Sequence, residues 1–89
     1  MKIMGTKSVL FLNILMQIQQ MRSQEKLIDS RAINIPGKNQ DERIKILLDM
    51  MKRGLFAGNP LPDEKGEVGL ISDINLMTQG NYYINQHSK

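Results

Sequence analysis

The sequence predicts an α+β fold, mostly helical, in which a long helix, a short helix, a tight turn and a further helix hand over to a β-hairpin and a closing helix. Three observations carry that reading. Apolar residues recur at helical spacing over residues 7–21 and again after Asn39. The dipeptide Pro36-Gly37 interrupts the chain between helical stretches, because proline disfavours helix in the residue before it and glycine turns the backbone. Finally, "LFA" (55–57) and "LISDINL" (70–76) read as strands on either side of a stretch rich in proline and glycine.

In the first helix, about residues 7 to 21, Phe11, Ile14, Leu15, Ile18 and Met21 or Arg22 share a face, and Thr6 or Ser8 is placed to cap the first free N–H groups. Val9, Leu10, Leu12 and Met16 make a second apolar side. A helix apolar on two sides is either central to a core or shared with a partner, so a homodimer through this helix is one expectation. Leu27 and Ile28 form a local apolar pair, and Ser30 offers a cap for a short helix through Ala32 and Ile33 that Pro36-Gly37 must stop. Asn39 or Asp41 then caps a longer helix. Asp41 and Glu42 at its positive end and Lys52 and Arg53 at its negative end suit the macrodipole. Gly54 supplies the left-handed residue at which helices commonly finish.

Beyond "LFA", the stretch "GNPLPDEKGEVG" holds two prolines and three glycines, too irregular for a helix. It reads as a polar connection turning near Lys65-Gly66, with residues 58–68 the most mobile internal segment. "TQGNYYINQ" closes the chain as a short helix in which Tyr83 and Ile84 face the body. This order is the winged helix-turn-helix plan, with a two- or three-stranded wing hairpin, as a single domain over 1–89.

Composition narrows the function classes. With no cysteine there is no disulfide framework, thiolate metal site or cysteine nucleophile. "VLFLNILM" behind Lys2 and Lys7 imitates a secretory leader, but Asn13 lies inside it and "QIQQ" follows instead of small residues. It is also too short to span a bilayer, so a cytoplasmic protein without a membrane is expected. His87 reads as a solvated tail residue, without the partners of a triad or an imidazole metal site. Asp63, Glu64 and Glu67 lack the regular ligand spacing of a calcium loop, and no glycine motif cradles a phosphate. Hence no enzyme, metal, cofactor or small-molecule ligand is expected.

"IKILLDMMKRGLFAG", from Ile44 to Gly58, resembles the "LxxLxxxGLI" passage in which winged-helix proteins run from the third helix into the first wing strand. "INLMTQGNYYI", from Ile74 to Ile84, is similar to the "ItLTxxGxxYL" ending after the second wing strand. Together the segments resemble the small YjcQ-like family of Gram-positive bacteria and their phages, over less than a third of the chain. Met77 departs from the capping threonine of that ending, which leaves Thr78 or Asn75 to cap the last helix. The resemblance implies a winged-helix fold and, at the level of the class, a small DNA-binding transcriptional regulator.

The charges divide on that implication. Residues 1–38 carry six basic groups against two acids, whereas 58–73 carry four acids against Lys65. On the helix after Asn39, Ile44, Leu47, Leu48, Met50 and Met51 gather on the side to be buried, leaving Glu42, Lys45, Asp49, Lys52 and Arg53 opposite. There Asp41 with Lys45, Lys45 with Asp49, and Asp49 with Arg53 are neighbours of opposite sign that satisfy one another. Lys38, Asn39, Gln40 and Arg43 in the first turn remain as the residues placed to reach phosphates and base edges of double-stranded DNA. Two functions are therefore expected, a DNA-binding winged helix using those four residues or a winged-helix protein–protein interaction module without DNA.

Overall fold

A computed structural model of the chain describes residues 6–24 and 28–87, with side chains described from residue 9 onward. Among these described residues, three α-helices, one 3-10 turn and a two-stranded antiparallel hairpin follow in the order α1 (Thr6–Ser23), η1 (Ser30–Ala32), α2 (Gln40–Lys52), β1 (Phe56–Pro62), β2 (Val68–Leu76) and α3 (Thr78–His87). The expected caps of the first helix, Thr6 and Ser8, and Leu27 of the apolar pair lie outside the described side chains.

Phe11, Ile14, Leu15 and Ile18 of α1 are buried together with Ile44, Leu47 and Met50 of α2, Phe56 of β1, Ile71 and Ile74 of β2, and Ile84 of α3. The second apolar side of α1 is split: Leu10 and Leu12 pack against this core, whereas Val9 and Met16 stay 52% and 45% exposed. On α3, Ile84 is buried and Tyr83 packs against the core, while its neighbour Tyr82 is 64% exposed.

Where a second helix is expected after Ser30, the chain makes only the single turn η1, and its cap is Asp29. Asp29 Oδ1 accepts the Arg31 N–H at 2.8 Å, and Arg31 Nη2 reaches Asp29 Oδ2 at 2.9 Å. The hydrogen bond from the Arg31 side chain holds the Asp29 carboxyl below the ordinary aspartate value, against a smaller opposing effect of burial. Ser30 is not free to cap anything. It is buried, and its Oγ accepts the Ile71 N–H at 3.0 Å, while the Ile28 carbonyl accepts the Ile74 N–H at 2.9 Å. The segment 28–30 thus occupies the edge of β2 that β1 leaves open, without becoming a third strand.

The turn at Pro36-Gly37 is present, and α2 follows with Asn39 as its N-cap. Asn39 Oδ1 accepts the Glu42 N–H at 2.9 Å and Glu42 Oε1 accepts the Asn39 N–H at 3.3 Å, a reciprocal capping box. At the other end Gly54 takes φ +78°. Its N–H reaches the Met51 carbonyl at 3.0 Å and the Leu55 N–H reaches that of Met50 at 3.1 Å, the paired bonds of a Schellman stop.

The hairpin differs from expectation in two ways. β1 does not end at Ala57 but runs to Pro62, so residues 58–62 of the supposed loop belong to the strand, 59–62 of them paired with β2, and only 63–67 turn. Pro60 and Pro62 are tolerated because, among the described residues, β1 has no strand on its other side, where a missing N–H costs no ladder bond. Secondly, β2 does not simply alternate. Ile71 and Ile74, three apart, are both buried, which a regular strand forbids. The pairing shifts by one residue between Ala57 and Asn59, and Asp73 there adopts φ +53°. This bulge moves the strand's inward side from Ile71 to Ile74.

α3 begins at Thr78 with Met77 immediately before it, so neither Thr78 nor Asn75 takes the cap position. The Met77 N–H is instead bonded to the Leu55 carbonyl at 3.2 Å, and the Met77 carbonyl accepts the Asn81 N–H at 3.1 Å. That contact draws the helix so close to residue 55 that a Cβ on Gly80 would lie 1.9 Å from the Leu55 carbonyl oxygen.

Candidate functional site

Of the four residues expected to meet DNA, Lys38 and Asn39 precede α2 and Gln40 and Arg43 lie in its first turn, and three of them are engaged elsewhere. Lys38 Nζ lies 3.9 Å from Glu42 Oε2, Asn39 closes the capping box, and Gln40 Nε2 donates to the Gly69 carbonyl at 3.2 Å, pinning the helix to β2. Arg43 is half-buried, and its Nε is buried with no hydrogen-bond partner among the described residues. Along the outer side of α2, Arg53 Nε pairs with Asp49 Oδ2 at 3.2 Å, and the guanidinium also lies 5.5 Å from the centre of the Phe11 ring. Such exposed pairs contribute only about 0–1 kcal/mol each. Their consequence is electrostatic, since Lys38 and Arg53 each carry their own counter-charge.

Beside α2 stands the acidic end of the hairpin. Asp63 Oδ1 accepts the N–H groups of Lys65 and Glu67 at 2.8 and 3.0 Å, and the Asp63 carbonyl accepts that of Gly66 at 3.1 Å. The Asp63 carboxylate therefore builds the turn, while Glu64 and Glu67 are exposed around it.

Between α2 and the hairpin lies a cleft of about 360 Å³ lined by Asp41, Ile44, Lys45, Leu48, Glu67 and Val68. Ile44 is buried and Leu48 and Val68 are half-buried, so the floor is apolar; Asp41, Lys45 and Glu67 form exposed walls. Sequence reading missed this cleft because Leu48 belongs to the apolar side of α2 and was assigned to the core. The one available signal was the i, i+4 pair Ile44 and Leu48 bracketed by charges.

A second depression, of about 470 Å³, runs along α3 and is lined by Leu55, Thr78, Gln79, Tyr82, Tyr83, Gln86 and His87. His87 is not the solvated tail residue expected: it is half-buried, stacked on Tyr83 with ring centres 4.1 Å apart, and its Nδ1 lies 2.9 Å from the Tyr83 carbonyl oxygen. Among the described residues no group of three or more His, Cys, Asp or Glu is arranged to hold a metal, and no helix is long and apolar enough to cross a membrane.

Fold and clefts together define an α+β protein of three α-helices with a long hairpin standing beside the middle one. No protein-family model matches the chain, and no curated protein or solved structure matches it either.

Proposed function

We propose that this chain is a small winged-helix protein that serves as a protein–protein interaction module, presenting α2 and the hairpin to a partner. The order of elements, the turn at Pro36-Gly37 and the bonds from 28–30 to the edge of β2 support the winged-helix reading, as does the resemblance of the Ile44–Gly58 and Ile74–Ile84 segments to the YjcQ-like family. The observation that carries the choice of partner is electrostatic. Lys38 just before α2 and Arg53 just after it face Glu42 and Asp49, and the neighbouring turn brings Asp63, Glu64 and Glu67 against Lys65. Affinity for DNA comes largely from cations that displace condensed counterions, and carboxylates on the approaching surface oppose that release.

The test is fluorescence anisotropy with a labelled random-sequence duplex at about 50 mM salt, where the counterion contribution is large. No change in anisotropy is expected. Binding that weakens steeply with added salt would overturn the reading in favour of a DNA-binding regulator. That second reading draws on Arg43, whose Nε has no hydrogen-bond partner among the described residues and which follows Lys38, Asn39 and Gln40 at the start of α2. It requires Lys38→Ala to reduce the salt dependence by about one phosphate contact.

A further inference from the structure

The cleft between α2 and β2 combines an apolar floor with charged walls. Its floor of Ile44, Leu48 and Val68 is apolar, and its walls carry the Asp41 and Glu67 carboxylates against the one cation Lys45. On the same turn Glu64 adds a negative charge and Lys65 a positive one, while the Asp63 carboxylate is taken up by the turn's own N–H groups. At about 360 Å³ the space takes one long side chain and its neighbour rather than a whole helix. Gln40, bonded to the Gly69 carbonyl, fastens α2 to β2 next to it, so its walls are held at a set spacing.

An apolar floor under acidic walls is complementary to arginine, whose aliphatic stem covers apolar surface while its guanidinium takes carboxylates in a planar fork. We propose that this cleft is the docking site for an arginine-bearing segment of a partner protein, with the arginine stem on Ile44, Leu48 and Val68 and its head at the Asp41 and Glu67 carboxylates. The inference rests on the interaction-module reading and adds to it the location of the site and the chemistry of the occupant. An adjoining apolar residue of the partner would cover the exposed part of Val68 and Leu48. Lysine fits less well, because its compact, strongly hydrated head lacks the planar fork with which arginine takes a carboxylate.

The test is an NMR titration of the isotope-labelled full chain with a capped probe peptide, Ala-Leu-Arg-Leu-Ala, and with the same peptide carrying citrulline, neutral and nearly isosteric, in place of arginine. The arginine peptide is expected to shift the amides of Ile44, Lys45, Leu48, Val68 and Gly69 saturably, and the citrulline peptide to bind at least tenfold more weakly. The double variant Asp41→Asn, Glu67→Gln, whose helix content is checked by circular dichroism, should lose binding to the same extent. Arginine amide alone should bind more weakly than the peptide, since it lacks the apolar neighbour. Three results would overturn the proposal: no saturable shifts in the cleft, equal binding of the citrulline peptide, or an unaffected double variant. None of these bears on the duplex titration. Shifts confined to the groove by Tyr82 and Tyr83 would refute the cleft and leave the interaction-module reading standing, whereas duplex binding would remove that reading whatever the peptide does.

Discussion

Gly80→Ala isolates the contact that seats α3. A methyl group there would stand 1.9 Å from the Leu55 carbonyl oxygen, 3.0 Å from its carbon and 3.3 Å from Leu76 Cδ2. The first of these is backbone, fixed by the Gly54 stop on one side and by the Met77 N–H on the other, so no rotamer change relieves it. To restore the 3.0 Å that real Cβ contacts respect, α3 must retreat by at least 1.1 Å. That movement stretches the 3.2 Å bond from Met77 N–H to the Leu55 carbonyl and opens the seat of Ile84. Overpacking a tight site costs roughly 1–3 kcal/mol, and a rigid backbone partner places this case toward the upper end. Alanine's better helix propensity returns about 1 kcal/mol. The net expectation is a loss of about 1–2 kcal/mol, or roughly 4–16 °C in Tm for a domain of this size. Urea unfolding followed by circular dichroism measures it, with Asn85→Ala on the exposed side of the same helix as a control for propensity alone. A Gly80→Ala protein as stable as wild type, or gaining as the control does, would show that α3 is not seated on Leu55.

Ser30→Ala should cost about 1–3 kcal/mol in the same assay, because the buried Ile71 N–H loses its acceptor. Asp29 governs an acid-sensitive contribution. Its carboxyl is held below the ordinary value by the Arg31 side chain, so the stability it adds is complete above about pH 4 and is lost as pH falls through the lower folded value. Asp29→Asn keeps the cap without the charge, and its urea midpoint should lie below wild type at pH 6 and converge with it toward pH 2; a gap independent of pH would refute the assignment.

What the sequence made legible is what neighbouring residues decide. Asn39 caps α2, Gly54 stops it and Pro36-Gly37 turns the chain, as expected, because each of these signals acts within about four residues of itself. Ser30 has the composition of a cap, yet its hydroxyl serves a backbone N–H 41 positions away. Pro60 and Pro62 weigh against a strand locally, and only the ladder offered by Leu70 and Ile71 makes one. The bulge at Asp73 is similarly invisible, although the three-residue spacing of Ile71 and Ile74 already conflicts with strict alternation. For the site, Lys38, Asn39, Gln40 and Arg43 are near one another in sequence, but the partners that occupy Lys38 and Gln40 come from Glu42 and from Gly69, the latter 29 positions on. The cleft needs α2 and residues 67–68 to approach, which no window along the chain contains.

Both flanks of the hairpin are closed to further growth, by different means. On the β2 side, Ile28 and Ser30 already occupy the donors of Ile74 and Ile71; on the β1 side, Pro60 and Pro62 have no donor to lend. A two-stranded ribbon is ordinarily the part of a small protein most prone to templating sheet extension between molecules. Here a crowded solution offers an arriving strand no continuous run of partners, so the ribbon can stand out from the body at high concentration without seeding fibrils.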